Sequence, residues 1–223
     1  MEKTSYTNLA KAWEFVEDHA YSRQSEMLLH ARDRAEENGL HQGSAVQAEL
    51  LHTLARMTRS TSVITVGTGS VVEILQLIDA LGGSGQLTAV DSSTQGIAFI
   101  RGLFAGLSDV TNTTLRAVNA PVGVFLPRLN GEDYDMIVIS GDAGNYQETF
   151  EQAPRLLRHG GIIVFTDVLA FEDAGSNGGV LNPADRSDKA IAMRQLLESV
   201  QDDERFDSTL TATGTGLLIA VKR

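Results

Sequence analysis

The chain has 223 residues, with 18 Lys and Arg against 29 Asp and Glu, a formal charge of −11. That balance argues against a nucleic-acid or anionic-membrane partner, both of which need a basic face, and favours a small-molecule substrate. Cysteine is absent, which excludes disulfides, thiolate metal sites and a thiol nucleophile. The length suits a single domain with a substantial core. Residues 1–20 are polar and lack an apolar h-region, so no signal peptide is expected. No apolar run approaches the length of a membrane span. The expectation is one cytoplasmic domain, residues 1–223.

Residues 8–19 and 23–38 read as amphipathic helices, with Trp13, Val16, Met27, Leu28, Ala31 and Ala35 at apolar positions. Gly39 suits a left-handed C-cap. Ser44 suits the N-cap of a third helix over 45–57. Trp13 and Phe15 are expected to be core residues or dimer contacts, core-like burial being the favoured reading. These helices precede the first strand. They form an N-terminal cap, residues 1–60, that covers a ligand or packs against another subunit.

Residues 62–91 hold the main signal. A β-rich run containing Ile64 and Val66 is followed at once by Gly67-Thr68-Gly69. A helix spans 71–81 with Val71, Ile74, Leu75 and Ile78 at helical spacing. Gly82-Gly83 ends it, a second strand covers 86–90, and Asp91 stands at that strand's end. Strand, glycine turn, helix, strand and acid form the first half of a nucleotide-binding α/β unit. A helix over 94–105 and a strand over 113–118 follow. Asn119-Ala120-Pro121 leads into a short helix with proline in its first turn. The apolar run 135–140 reads as a central parallel strand. A helix over 145–158 carries Pro154 as a kink, Gly160-Gly161 closes it, and 162–165 is the fifth strand. Residues 168–186 read as a long irregular connection. Ser187 caps a last helix, 188–200. Strands at 207–213 and 217–222 flank Gly214-Thr215-Gly216 as a hairpin.

Two details separate the nucleotide-binding folds. A dinucleotide dehydrogenase prefers a third glycine where Val72 stands, and a second mononucleotide half. Here the sheet ends in an antiparallel pair, the plan of class I methyltransferases, whose ligand is S-adenosylmethionine.

The order of several blocks then resembles the cation-dependent, catechol O-methyltransferase-like family, most closely its actinobacterial branch. The blocks are VGTGS (Val66 to Ser70), TAVD (Thr88 to Asp91), YDMIVISGDAGNY (Tyr134 to Tyr146), LLRHGGIIVFTDVLA (Leu156 to Ala170), DDERF (Asp202 to Phe206) and GTGLLIAVKR (Gly214 to Arg223). The resemblance implies a Rossmann-like, seven-stranded mixed sheet of order 3-2-1-4-5-7-6, with helices on both faces and the N-terminal helical cap. It implies that Gly67, Thr68 and Gly69 border the methionine of S-adenosylmethionine. Asp91 would accept both ribose hydroxyls, and Ser92 would lie under the adenine. Ala120 would give it a backbone N–H, and Ser140 would sit near the sulfur. It also implies a homodimer with the N-terminal helices in the interface.

The catalytic half departs from the family pattern D-A-D-K-x-N-Y. Here Ser140 replaces the first, metal-binding Asp, and Ala143 replaces the Lys. After the fifth strand, Thr166 replaces the second Asp and Asp167 the Asn. Thr65 stands for the glutamate before the glycines, and Glu73 for the serine after them. Divalent cations want several oxygen ligands, including carboxylates. Two readings of Asp142 and Asp167 therefore stand: solvated or capping carboxylates with no metal, or a rearranged cation site with or without Ser140. Either aspartate could serve as general base for methyl transfer to a small-molecule hydroxyl. His41 is the histidine to test as a proton acceptor. The alternative function is a catalytically impaired, cofactor-binding homologue with an interaction role.

Overall fold

The computed structural model describes residues 3–67, 69–171 and 175–223. Three helices come first: α1 (Lys3–Ser22), α2 (Glu26–Glu37) and α3 (Ala45–Met57). Then strands and helices alternate: β1 (Ser62–Val66), α4 (Val71–Ala80), β2 (Gln86–Asp91), α5 (Thr94–Leu107), β3 (Thr114–Asn119), α6 (Val122–Phe125), β4 (Tyr134–Ile139), α7 (Gly144–Leu156) and β5 (Leu157–Phe165). After an irregular connection come α8 (Asp188–Gln201), β6 (Phe206–Thr211) and β7 (Leu217–Lys222).

The sheet has seven strands in the order β3-β2-β1-β4-β5-β7-β6. Its first five strands run parallel, and β7 inserts antiparallel between β5 and β6. This is the expected class I methyltransferase sheet. Alternation along the strands divides the interior into two cores, because successive side chains point to opposite faces. Val63, Leu87, Met136, Val138 and Val164 pack under α2, α3 and α4. Ile64, Ile137, Ile139, Ile163 and Phe165 face α7 and α8.

Local chemistry sets the helix ends. Ser25, Ser44, Ser93 and Ser187 each accept an amide of the first turn of α2, α3, α5 and α8. Gly39 takes φ +74° just beyond α2, as its C-cap role requires. The carboxylate of Glu17 reaches from α1 to the start of α3. It accepts from Ser44 Oγ at 2.6 Å and from the Ala45 amide at 2.5 Å. That bond is favourable because a helix N-terminus carries positive partial charge.

Two expectations are corrected. Trp13 and Phe15 are 41% and 71% exposed and not buried, because α1 lies outside the two cores and rests chiefly on α3. The fifth strand begins at Leu157, before Gly160-Gly161. The chain leaves α7 two residues after Pro154 and enters the sheet at once, pairing Leu157 with Tyr134 before a register shift.

The connection after β5 is also more ordered than its composition suggests. Asp185, 1% exposed, accepts the amides of Asn177 (2.5 Å), Gly179 (2.8 Å) and Ser187 (2.9 Å). Arg194 of α8 donates to the carbonyls of Asp185, Gly179 and Asn182. Among the described residues, no helix is long and apolar enough to cross a membrane.

Candidate active site

The C-terminal ends of the parallel strands lie along one edge, where open α/β sheets place their ligands. In register, Val66 neighbours Val90 on one side and Ile139 on the other, and Ile139 neighbours Phe165. The residues that follow these strands therefore share this edge. They are Gly67, Ser140 and Thr166, with Asp91 closing β2.

Gly67 has φ +87°, and its N–H donates to Val90 O at 3.0 Å. A Cβ there would lie 2.7 Å from both Ser140 O and Ser140 Oγ. Glycine is thus required twice over, by backbone conformation and by contact. Gly69 differs: a Cβ there would meet nothing within 4 Å, so this side of the turn is open to a ligand. Thr68 lies outside the described residues. Gln42, in the connection before α3, braces the turn. Its Nε2 donates to Gly69 O at 2.6 Å, and its Oε1 accepts from Val72 N at 3.1 Å.

Asp91 Oδ1 accepts the Ser93 amide at 2.9 Å, and Ser92 is exposed beside it. The amide of Ala120, expected to face adenine, donates to Asp91 O at 3.0 Å. That expectation is corrected. β3 runs one residue further than its pattern suggested, pairing Asn119 with Asp91, so the ladder takes the next amide as well.

At the mouth of β4 and β5 the hydroxyls turn inward. Ser140 Oγ donates to Val66 O at 3.1 Å, and Thr166 Oγ1 donates to Ile139 O at 3.0 Å. Asp142 is exposed in the turn after β4. Asp167 has φ +54°, and its Oδ2 lies 3.5 Å from Lys189 Nζ. Lys189 belongs to α8 and is 5% exposed. Its ammonium donates to Gly141 O at 2.6 Å and to the Tyr146 hydroxyl at 2.8 Å, and it sits 4.0 Å from that ring's centroid. The Tyr146 hydroxyl in turn donates to Thr166 O at 2.9 Å. Burial pushes the Tyr146 phenol well above its ordinary range, and the carboxylates of Asp167 and Glu73 push the same way. It stays a neutral phenol that both donates and accepts.

A divalent cation does not fit this donor set. The hydroxyls of Ser140 and Thr166 are neutral and directed at strand carbonyls, and the Asp167 carboxylate faces an ammonium. Among the described residues, no three His, Asp or Glu gather closely enough to hold a metal. As placed, Asp142, Asp167 and Ser140 do not offer the donor set that the rearranged cation site would need.

Lys189 escaped the sequence reading, although a signal existed. Lys189, Met193, Leu196 and Val200 follow at intervals of four, three and four, the buried stripe of a helix, and all four are buried. A lysine in that stripe needs acceptors inside the protein.

Glu73 is a second buried acid. Its Oε1 accepts from Gln47 Nε2 at 2.5 Å in the first turn of α4, and burial raises its pKa. His41 stands apart, its ring on Glu36 at 2.8 Å and 91% exposed. An apolar groove lined by Met27, Leu75, Phe99 and Leu103 lies between α2, α4 and α5 and includes none of the strand-end residues.

Strand order and strand-end geometry define a class I methyltransferase fold. The sequence profile described as O-methyltransferase matches residues 18–223, and the chain belongs to that family, whose methyl donor is S-adenosylmethionine. A provisionally named O-methyltransferase of Mycobacterium tuberculosis is 30% identical over 196 residues, 88% of this chain and 84% of that protein. Among solved structures, an O-methyltransferase from Bacillus cereus in complex with SAH superposes with a TM-score of 0.78 at 19% identity, covering 96% of this chain and 99% of that one. TomG from Streptomyces achromogenes, involved in tomaymycin synthesis and solved with SAM, gives 0.72 at 21% identity, covering 95% and 97%. These two likenesses establish the fold.

Proposed function

We propose that this chain transfers the methyl group of S-adenosylmethionine to a hydroxyl of a small molecule. The observation that carries the reading is the pairing of an open glycine turn at the end of β1 with Asp91 at the end of β2. In this reading Gly67, Thr68 and Gly69 border the methionine, Asp91 takes the ribose hydroxyls, and Ser92 lies against the adenine. Ala120 lines the adenine end through its position, its amide being engaged, and Ser140 borders the sulfur. The acceptor enters at the mouth of β4 and β5.

The reaction is an in-line displacement. A lone pair of the acceptor oxygen forms the new O–C bond. The S–C bond breaks with its pair going to sulfur, and the hydroxyl proton leaves to a base. The sulfonium is already activated, so holding the two reactants in line supplies much of the catalysis. Asp142 and Asp167 are the carboxylates at that mouth, and they are the candidate proton acceptors. The whole chain acts as one domain in the cytoplasm, without a nucleic-acid or membrane partner. It pairs as a homodimer through the N-terminal helices, where Leu9, Trp13 and Phe15 are exposed; sedimentation as a monomer would refute the pairing.

Calorimetry tests the core of the reading. S-adenosylmethionine should bind and NAD⁺ should not. Asp91→Asn should weaken binding about tenfold to a hundredfold, the loss of charge-assisted hydrogen bonds to the ribose. Unchanged affinity in that variant would sink the ribose assignment. Methyl transfer to a panel of phenols then identifies the acceptor class.

A further inference from the structure

We propose that the ammonium of Lys189 is the built-in cation of this active site, standing in the gap that a divalent ion occupies in the cation-dependent enzymes the chain resembles. The proposal rests on the O-methyltransferase reading only for that comparison of positions.

The geometry is specific. Lys189 Nζ bridges Gly141 O (2.6 Å) and Asp167 Oδ2 (3.5 Å), with the Tyr146 hydroxyl (2.8 Å) as a further partner. Gly141 and Asp167 each come one residue after a substituted position, Ser140 and Thr166. The ammonium therefore ties the loop after β4 to the loop after β5. The ammonium donates to the Gly141 carbonyl and the Tyr146 hydroxyl and pairs its charge with the Asp167 carboxylate.

At the three ligand positions the charge balance is kept by the exchange. In the family pattern two aspartates face a doubly charged ion, and the sum is zero. Here both aspartates are neutral hydroxyl residues, while Asp167 replaces a neutral asparagine and faces one ammonium. The sum is again zero. A buried ammonium left without a partner is strongly destabilising. The hydroxyls left behind donate to Val66 O and Ile139 O, so each keeps a bonded partner.

Lys189 acts here as a positioning residue. It fixes Asp167 and the Gly141 turn, as a metal would fix its ligands, and keeps a positive charge beside the mouth. A divalent cation entering the same gap would meet that charge at contact distance and compete for the Gly141 carbonyl.

Manganese(II) binding, followed by loss of the free-ion paramagnetic resonance signal, tests this without reference to turnover. The wild-type protein should bind no stoichiometric Mn²⁺ up to millimolar concentrations. The double variant Ser140→Asp/Thr166→Asp restores two carboxylates but keeps the ammonium. Adding Lys189→Met to it should raise Mn²⁺ affinity at least ~100-fold, because the repulsion at contact distance is removed. Tight Mn²⁺ binding by the wild type, or equal affinity of the double and triple variants, would overturn the proposal. Should the variants fail to fold, tight Mn²⁺ binding by the wild type would still overturn the proposal, and Lys189→Met in the wild-type background would replace them as the test of the ammonium's repulsion. S-adenosylmethionine calorimetry on the wild type is read separately: failure there removes the methyltransferase reading and leaves the cation result standing.

Discussion

Replacing Gly67 by alanine tests whether the turn after β1 is fixed by backbone shape or only by convention. At φ +87° an L-residue pays the left-handed penalty, about 1–2 kcal/mol. The new Cβ would also lie 2.7 Å from Ser140 O, a backbone atom held by the sheet, and forcing it in adds about 1–3 kcal/mol. The sum is about 2–5 kcal/mol. For a protein of this size that lowers Tm by about 4–20 °C, at about 2–4 °C per kcal/mol. Gly69→Ala is the internal control. Its Cβ meets nothing within 4 Å, so its stability should stay within about 0.5 kcal/mol of wild type. That same methyl group would project into the space assigned to the methionine of the cofactor, so S-adenosylmethionine affinity should fall. Thermal unfolding by circular dichroism, with and without ligand, reads both effects. A Gly67→Ala protein melting with the wild type, or a Gly69→Ala protein melting as low as Gly67→Ala, would refute the reasoning.

Two further outcomes follow from buried acids. The pKa of Glu73 is raised above 4.5 by burial, so its proton binds more tightly in the folded state than in the unfolded one. The stability this contributes is complete below the unfolded pKa and is lost as pH rises through the folded pKa. Glu73→Gln should therefore match wild type in urea denaturation near pH 4 and exceed it near neutrality; parallel stability curves would contradict the burial argument. Asp185 behaves oppositely. Its carboxylate is held far below 3.8, first by the Ser187 amide and then by the amides of Asn177 and Gly179. Its contribution is present above the unfolded pKa and lost as pH falls through the folded one. Asp185→Asn should speed amide exchange across residues 175–187 at neutral pH, and unchanged protection there would remove Asp185 as the anchor of that segment.

The parallel core was legible because its cues are local. Gly67 and Gly69 after an apolar run, Asp91 at the next strand's end, and the hairpin around Gly214-Thr215-Gly216 pointed to the class I methyltransferase plan, and the family resemblance implied the strand order. Strand ends were less legible. The ladder bond at Ala120 and the early start of β5 at Leu157 depend on a neighbour's register, which no local pattern encodes. The burial of Trp13 and Phe15 was misread for a related reason. Trp13 and Phe15 are apolar, yet burial needs a partner surface, and α1 rests chiefly on α3. The cofactor half of the candidate site lies within residues 62–140 and follows from position. The acceptor half did not, because Lys189 arrives from α8, 22 residues after Asp167, and meets it only in three dimensions. The irregular connection was read as structureless because AGSNGG and Asn182-Pro183 interrupt it with turn and breaker residues. Its order comes from one carboxylate and one guanidinium, Asp185 and Arg194, each gathering several backbone groups.

The placement of β7 has a consequence for how the protein is made. The last strand in sequence is not at an edge: it lies between β5 and β6. Just ahead of it, Thr215 O and Gly216 O accept the amides of Leu169 and Val168, directly after β5 and Asp167. During synthesis β1 to β4 can pair as they emerge, while the far side of β5 stays open until residues 217–222 clear the ribosome. The half of the site proposed to recognise the nucleotide can thus assemble early in translation. The half that receives the methyl group is sealed among the last events, and an interrupted chain would hold its donor pocket with no finished place to deliver from it.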